Sequence, residues 1–253
     1  MTRRFIRSRF AQATPYTGMA VDRQPAVVAT AVTITALAVL NVMKHMMPAA
    51  TVVLGVTATA GLLAIARASG LTWAQLGLSP DRVRHGLLWG LGAIGAVGVV
   101  YLAGLAIPLT RGAFLDARYQ LEASDALKTA LVVIPIGTVL FEEIAFRSVL
   151  WGMLKRHMST TRTVVVSSAL FGLWHILPSL DFAAAHGAGE PGTSTGTTAL
   201  VVLGTVLFTA AGGAVAGELR RRSGSVLASA GMHWATNGLG VLFGLVAWRI
   251  VTS

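Results

Sequence analysis

The chain contains no cysteine. That excludes disulfides, thiolate catalysis and cysteine-ligated zinc, and the protein cannot itself be prenylated or palmitoylated. Charge is scarce as well. Only 12% of the 253 residues are Asp, Glu, Lys or Arg, against roughly 25% in an ordinary soluble domain. With 54% hydrophobic residues and a mean hydropathy of +0.69, the composition is that of an integral membrane protein. Segments of about ten residues with alternating polarity, the mark of a transmembrane barrel, are missing too. The expected fold is therefore all-α, a polytopic transmembrane helix bundle of about seven spans, within a range of six to eight.

Apolar runs occupy 26–43, 49–66, 86–107, 129–154, 163–178, 198–219 and 225–248, and each reads as a helix. The first two are short and read either as a hairpin of two spans or as one imperfect span. The segment Leu71–Leu78 is expected at the membrane interface, with Trp73 at headgroup depth. Ser79-Pro80-Asp81 reads as a helix start, with the serine as cap. Gly86 with Gly90, and Gly240 with Gly244, mark close helix packing. The segment 179–197 carries no lysine or arginine and is rich in Gly, Ser and Thr, with Pro191 inside it and Pro178 just before it. It reads as a mobile external connection, with a lid as the lesser alternative.

Lysine and arginine set the orientation. Arg3, Arg4, Arg7, Arg9 and Arg23 precede the first run, Arg67, Arg82 and Arg84 follow the second, Lys155, Arg156 and Arg162 follow the fourth, and Arg220, Arg221 and Arg222 follow the sixth. The positive-inside rule then puts the N-terminus and all these segments in the cytoplasm, with the plasma membrane as the expected location. The net charge of +10 is explained by topology and anionic lipid, so nucleic acid is not expected as a partner. Three segments follow: a basic cytoplasmic arm at 1–25, accessory spans at 26–126, and a catalytic bundle at 127–253. The arm lacks a following apolar stretch and a cleavage site, so it is expected to stay on the protein.

Among the polar residues that interrupt the apolar runs, Glu142, Glu143, Arg147, His175, His233 and Asn237 stand out. A charged side chain at mid-bilayer costs at least about 2.5–3.5 kcal/mol on insertion scales, so such groups point to a functional site. Glu142 lies 13 residues before Lys155, His175 lies 13 after Arg162, and His233 and Asn237 lie 11 and 15 after Arg222. At about 1.5 Å per residue these groups sit at about the same depth, 17–22 Å from one boundary. Glu143 and Arg147 are spaced for an ion pair along a helix. Phe171 shares a face with His175 and is placed to pack beneath its ring. Trp151, Trp174 and Trp234 read as packing residues, with a groove wall as the alternative.

A glutamate beside a histidine can take a proton from water. A second histidine with an asparagine supplies donors to a developing oxyanion. Together they form the equipment for amide hydrolysis without a serine or cysteine nucleophile. If zinc were bound, Glu142, His175 and His233 would be its ligands. No local HExxH unit is present, so metal-free chemistry with no cofactor is favoured. The alternatives are a proton-coupled membrane transporter, since buried Glu, His and Arg also build proton relays, and a non-catalytic peptide-binding membrane protein.

These residues resemble the three motifs of the type II CAAX prenyl endopeptidase family, also called the CPBP or Abi family. EExxxR stands here as Glu142-Glu143-x-x-x-Arg147, FxxxH as Phe171-x-x-x-His175, and HxxxN as His233-x-x-x-Asn237. The resemblance spans residues 138–240. It implies an all-α intramembrane protease with a cavity open to membrane and cytoplasm, acting on a peptide or membrane-anchored protein in the lipid bilayer. By that likeness Glu142 and His175 activate water, His233 and Asn237 form the oxyanion hole, and Glu143 and Arg147 support the site. Eukaryotic relatives remove the last three residues after a prenylated cysteine. Bacterial relatives are linked to peptide maturation or bacteriocin self-immunity.

Overall fold

In the computed structural model, residues 23–185 and 195–252 are described. They form seven helices long and apolar enough to cross a membrane, and the described residues contain no strand. This is the solution lipid enforces, because a helix satisfies its backbone polar groups within one segment. The helices are α1 Arg23–Met46, α2 Thr51–Ala68, α3 Val83–Ala106, α4 Ala123–Leu154, α5 Thr160–Trp174, α6 Ile176–Ala185, α7 Thr195–Ser223 and α8 Val226–Thr252. α5 and α6 form one bent span. The two short N-terminal runs are two separate spans joined through Met47–Ala50. Most of the arm expected at 1–25 lies outside the described residues.

α4 is the central helix. Half of its most apolar window is buried within the protein, against 11–39% for the others. α1, α2 and α5, with the first half of α8, pack against it, while α3 lies along α8 and α7 along α5. α3 and α8 approach closely between Gly90 and Gly231, where a Cβ on Gly231 would stand 2.7 Å from the Cα of Gly90. Gly86 and Gly90 thus do what their spacing announced. Gly240 and Gly244 do not form a helix–helix contact of that kind. At Gly240 a Cβ would only touch the Tyr101 ring of α3 at an ordinary 3.9 Å, whereas Gly244 seats Tyr119 and the carbonyl of Phe114 from the 107–122 connection. Gly231→Ala is expected to cost about 1–3 kcal/mol through overpacking, read as a lower unfolding temperature in detergent. An unchanged temperature would mean that α3 and α8 can part freely.

Two prolines shape the spans. Stretches of α4 turn as wide π-helix, including Thr129–Val133, Pro135–Val139 and Glu143–Leu150. Such turns arise where the regular ladder is interrupted. In an i→i+5 turn the N–H of residue 135 would serve the carbonyl of Ala130, but proline has none. Trp234 of α8 supplies the missing donor, its Nε1 standing 2.8 Å from Ala130 O. Pro178 likewise cannot serve the carbonyl of Trp174, and Asn41 of α1 donates to it at 3.0 Å. Each break in one helix is filled by a side chain from another, which ties α1 and α8 to the central span and its neighbour.

Four sequence readings need correction. Leu71–Leu78 does not simply lie at the interface: Leu71 and Leu76 are fully buried in the core around α4, while Trp73 stays exposed beneath the Arg67 guanidinium. Ser79 begins the expected helical turn but does not cap it, and its hydroxyl donates to the Asp81 carboxylate instead. The connection read at 179–197 is helical through Ala185 and again from Thr195, and 186–194 lie outside the described residues. Pro178 sits in the first turn of α6, where proline is tolerated and only the Trp174 carbonyl, taken up by Asn41, goes without its helical donor. Finally, Arg220 is not a solvated loop charge. It is buried, with Nε donating to Arg147 O at 3.1 Å and Nη2 to Gln75 O at 2.9 Å. Gly77, at φ +73°, leaves the space its guanidinium fills.

Candidate active site

Glu142 and Glu143 are adjacent on the buried stretch of α4, 5% and 1% exposed. Glu143 turns toward Arg147 one helical turn on, with its Oε1 3.2 Å from Nη1. The same oxygen meets Nδ1 of His233 on α8 at 2.9 Å. A carboxylate oxygen accepts, so the ring presents Nδ1–H to Glu143 and its Nε2 points elsewhere. That Nε2 lies 3.7 Å from Oε2 of Glu142. Arg147, Glu143, His233 and Glu142 therefore form a continuous polar chain between two helices, in a part of the protein where unpaired charge is costly.

Glu142 is held from a third helix. Trp174 Nε1 donates to Glu142 Oε1 at 3.1 Å. The other carboxylate oxygen, Oε2, is buried and has no hydrogen-bond partner. Oε2 of Glu143 is buried without a hydrogen-bond partner as well, so both carboxylates of the site keep an open acceptor. His175 follows Trp174 at the bend between α5 and α6. Its Nδ1 is 2.8 Å from the carbonyl of Phe171. A carbonyl can only accept, so Nδ1 carries the hydrogen and the neutral ring keeps a lone pair on Nε2. The Phe171 ring lies edge-on to both imidazoles, with centroid distances of 4.6 Å to His175 and 6.0 Å to His233, and the Arg147 guanidinium stands 3.9 Å over it. Packing beneath His175 was expected of Phe171, and its role as a platform for three site residues goes further.

Glu142, His175 and Asn237 line one cavity of about 670 Å³. Glu143, Arg147 and His233 stand behind its wall. The sequence-predicted set is thus brought together, but in two layers, with three residues facing the cavity and three buried behind Glu142. Among the described residues no three His, Asp or Glu side chains gather as a metal ion requires, although each site imidazole, donating from Nδ1, keeps its Nε2 lone pair.

Two residues at the cavity were not singled out by the sequence, and a third, Trp174, takes the groove-wall position that was the lesser of its two readings. Trp174, read as packing, is the hydrogen-bond donor to Glu142. Lys44 and Asn41, near the end of α1, also line the cavity, with the Lys44 ammonium 4.6 Å over the Phe141 ring and close enough to interact electrostatically with Glu142. Asn41 and Lys44 are visible as polar interruptions at the end of the first apolar run, but no motif marks them. At the rim, the Arg118 guanidinium, kept charged by its hydrogen bond to Asp116, stacks over Phe182 at 4.9 Å. Burial pushes the neighbouring Tyr119 phenol up, so the rim presents it as a neutral hydrogen-bonding group.

An all-α bundle with two carboxylates, two imidazoles and a carboxamide at its centre defines a class of intramembrane proteins that handle protons and water. Residues 125–239 match the family model described as type II CAAX prenyl endopeptidase Rce1-like. All six site residues lie within that stretch. The match supports a peptidase, with a peptide or protein substrate in a bilayer, carried by an integral multi-pass membrane protein. No curated protein and no solved structure matches the chain.

Proposed function

We propose that the protein is an intramembrane endopeptidase of glutamate type, in which Glu142 and His175 activate a water molecule. The observation that carries this reading is the unpartnered, buried Oε2 of Glu142 on a residue that shares a cavity with His175 and Asn237. Glu142 takes a proton from water, and the hydroxide adds to the peptide carbonyl carbon. The resulting oxyanion is received by the Asn237 amide, which lines the cavity, and is stabilised through the wall by positive charge on His233. With Nδ1–H committed to Glu143, His233 can donate from Nε2 only as imidazolium, and the Glu143 carboxylate is the counter-charge for that state. Arg147 in turn holds Glu143. The C–N bond then breaks, and the proton held by Glu142 passes to the leaving amine. The products are one new carboxylate and one new amine.

The reading is metal-free. Supporting it is the dispersed donor set among the described residues. Cleavage by purified protein in detergent is expected to survive dialysis against 1,10-phenanthroline. Loss of activity that returns with zinc would overturn this part of the proposal. Asn237→Ala should lower kcat by about 10²–10³-fold, the effect of removing one oxyanion donor, with a smaller change in KM. Trp174→Phe keeps the ring but removes the donor to Glu142. Hydrogen bonds to a charged group are worth about 1.5–3 kcal/mol, which corresponds to about 10- to 100-fold slower cleavage. Unchanged rates in both variants would contradict the assigned roles. We further propose an N-terminus in the cytoplasm, accessory spans over 26–126 and a catalytic bundle over 127–253, with no cofactor.

A further inference from the structure

We propose that Lys44, on the accessory helix α1, is a positioning residue of the active site, its ammonium serving as the counter-charge of the Glu142 carboxylate. The effect on rate rests on the protease reading. The electrostatic pairing is open to a test that needs no cleavage.

The charges at the centre leave one carboxylate unmatched. Glu142 and Glu143 are both buried. Glu143 faces Arg147 at 3.2 Å, and the same oxygen accepts from His233 at 2.9 Å. Arg147 is thereby committed to Glu143. Glu142 receives one hydrogen bond, from the uncharged indole of Trp174, and Nε2 of the neutral His233 ring, 3.7 Å away, brings it no charge. The other charged groups around the cavity are matched among themselves. His45 meets Asp181 at 3.1 Å, and Arg118 meets Asp116 at 2.6 Å. His175, keeping its Nε2 lone pair, adds no charge. A buried carboxylate without a cation is costly and neutralises itself by taking up a proton, and a protonated Glu142 is no base.

Lys44 supplies the missing positive charge. A lysine in the last turn of a span ordinarily runs out to the interface. Lys44 is only partly exposed, and it lines the same cavity as Glu142, His175 and Asn237. Its Nζ stands 4.6 Å from the centre of the Phe141 ring and 5.8 Å from that of Trp174. The two rings lie 5.5 Å apart and are tilted by 43°, so the ammonium sits in an aromatic corner whose faces attract it. Both rings border Glu142. Phe141 precedes it in the chain, and the Trp174 indole donates to it. Glu142 is the carboxylate whose charge acts on Lys44.

The arrangement balances Glu142 without blocking it. Oε2 of Glu142 has no hydrogen-bond partner, so the ammonium acts across space and leaves that oxygen open. An ammonium bonded there would occupy the acceptor that a reacting water needs. Asn41 fixes the register of α1, donating to Trp174 O at 3.0 Å. The helix that carries Lys44 is thus tied to the residue that binds Glu142. α1 lies outside 125–239, the stretch that matches the family model. The accessory spans therefore complete the site and do more than surround it.

Because the chain has no cysteine, Lys44→Cys carries a single thiol that can be alkylated alone. Bromoethylamine rebuilds an ammonium there at lysine length, whereas methyl methanethiosulfonate fills the position without charge. Lys44→Met and unmodified Lys44→Cys are expected to lower kcat about 10- to 100-fold, less than the loss of a directly bonded oxyanion donor, with KM little changed. Aminoethylation should restore most of the lost rate and methylthiolation none of it. A raised KM at unchanged kcat would make Lys44 a substrate-binding group, and recovery with the uncharged reagent would make it a packing group. Either result overturns the proposal. The pairing is read separately, from unfolding in detergent. Lys44→Met should lower the unfolding temperature by about 2–4 °C in the wild-type chain. In the Glu142→Gln background, where no charge needs balancing, it should leave the temperature unchanged or raise it. Equal losses in both backgrounds would show the two residues uncoupled and overturn the proposal. Absence of cleavage by the wild-type chain would instead remove the protease reading, and the unfolding cycle would still decide the counter-charge.

Discussion

Glu142→Gln should leave the protein folded and remove peptide cleavage, with kcat reduced by about 10²–10⁴-fold, the usual contribution of a positioned general base. The substitution is nearly isosteric. The glutamine carbonyl can still accept from Trp174 Nε1, which now donates to Glu142 Oε1 at 3.1 Å. What it loses is the capacity to take a proton at the position of Oε2, the buried oxygen without a partner. The unfolding temperature in detergent should therefore change little while the rate collapses. Binding of an uncleaved peptide should persist, because the cavity keeps its shape. Equal loss of stability and activity would instead show that Glu142 is a packing group.

Arg147→Ala should have the opposite signature. Arg147 and Glu143 are each about 3% exposed or less and pair at 3.2 Å. Removing the arginine leaves a buried carboxylate whose remaining partner is His233, and breaking a buried ion pair from one side typically costs about 3–5 kcal/mol. It also removes the cation over Phe171, the ring that supports both imidazoles. The double variant Glu143→Gln with Arg147→Met should recover much of the stability, since no uncompensated charge then remains buried. It should not recover cleavage, because His233 loses its counter-charge. Denaturant unfolding and kcat, measured side by side, separate these effects. A fully active double variant would remove Glu143 and Arg147 from the catalytic account.

Much of this could be read from the chain because costly groups in apolar runs have few structural excuses. Counting residues from one boundary placed Glu142, His175, His233 and Asn237 at a common depth, and the structure gives contacts at that depth between α4, α5 and α8. What escaped the reading has physical causes. Trp174 looks like any packing tryptophan until its Nε1 is seen to face Glu142. Arg220 shares a run with two arginines that pair with Glu218 on the surface, and only the three-dimensional gap beside Gly77 draws it inward. Hydrophobic periodicity assumes regular α-helix, so it is blind to the π turns that set where Glu143 and Asn237 point. Pro178 reads as a breaker, whereas in a first helical turn it bends a span without ending it. Asn41 and Lys44 stand alone in an accessory helix, and a lone polar residue carries no signal of the partner it meets across the bundle.

The central claim is that water, activated at Glu142, breaks a peptide bond at this site. Its most direct test is mass spectrometry of candidate membrane peptides in vesicles reconstituted with the wild-type chain or with Glu142→Gln, in water enriched in ¹⁸O. The account predicts, with the wild-type protein alone, pairs of fragments whose masses add to the parent plus one water, with ¹⁸O in the new carboxylate. Flux of intact peptide or protons that depends on Glu142, with no fragments formed, would contradict it and return the buried carboxylates to a transporter.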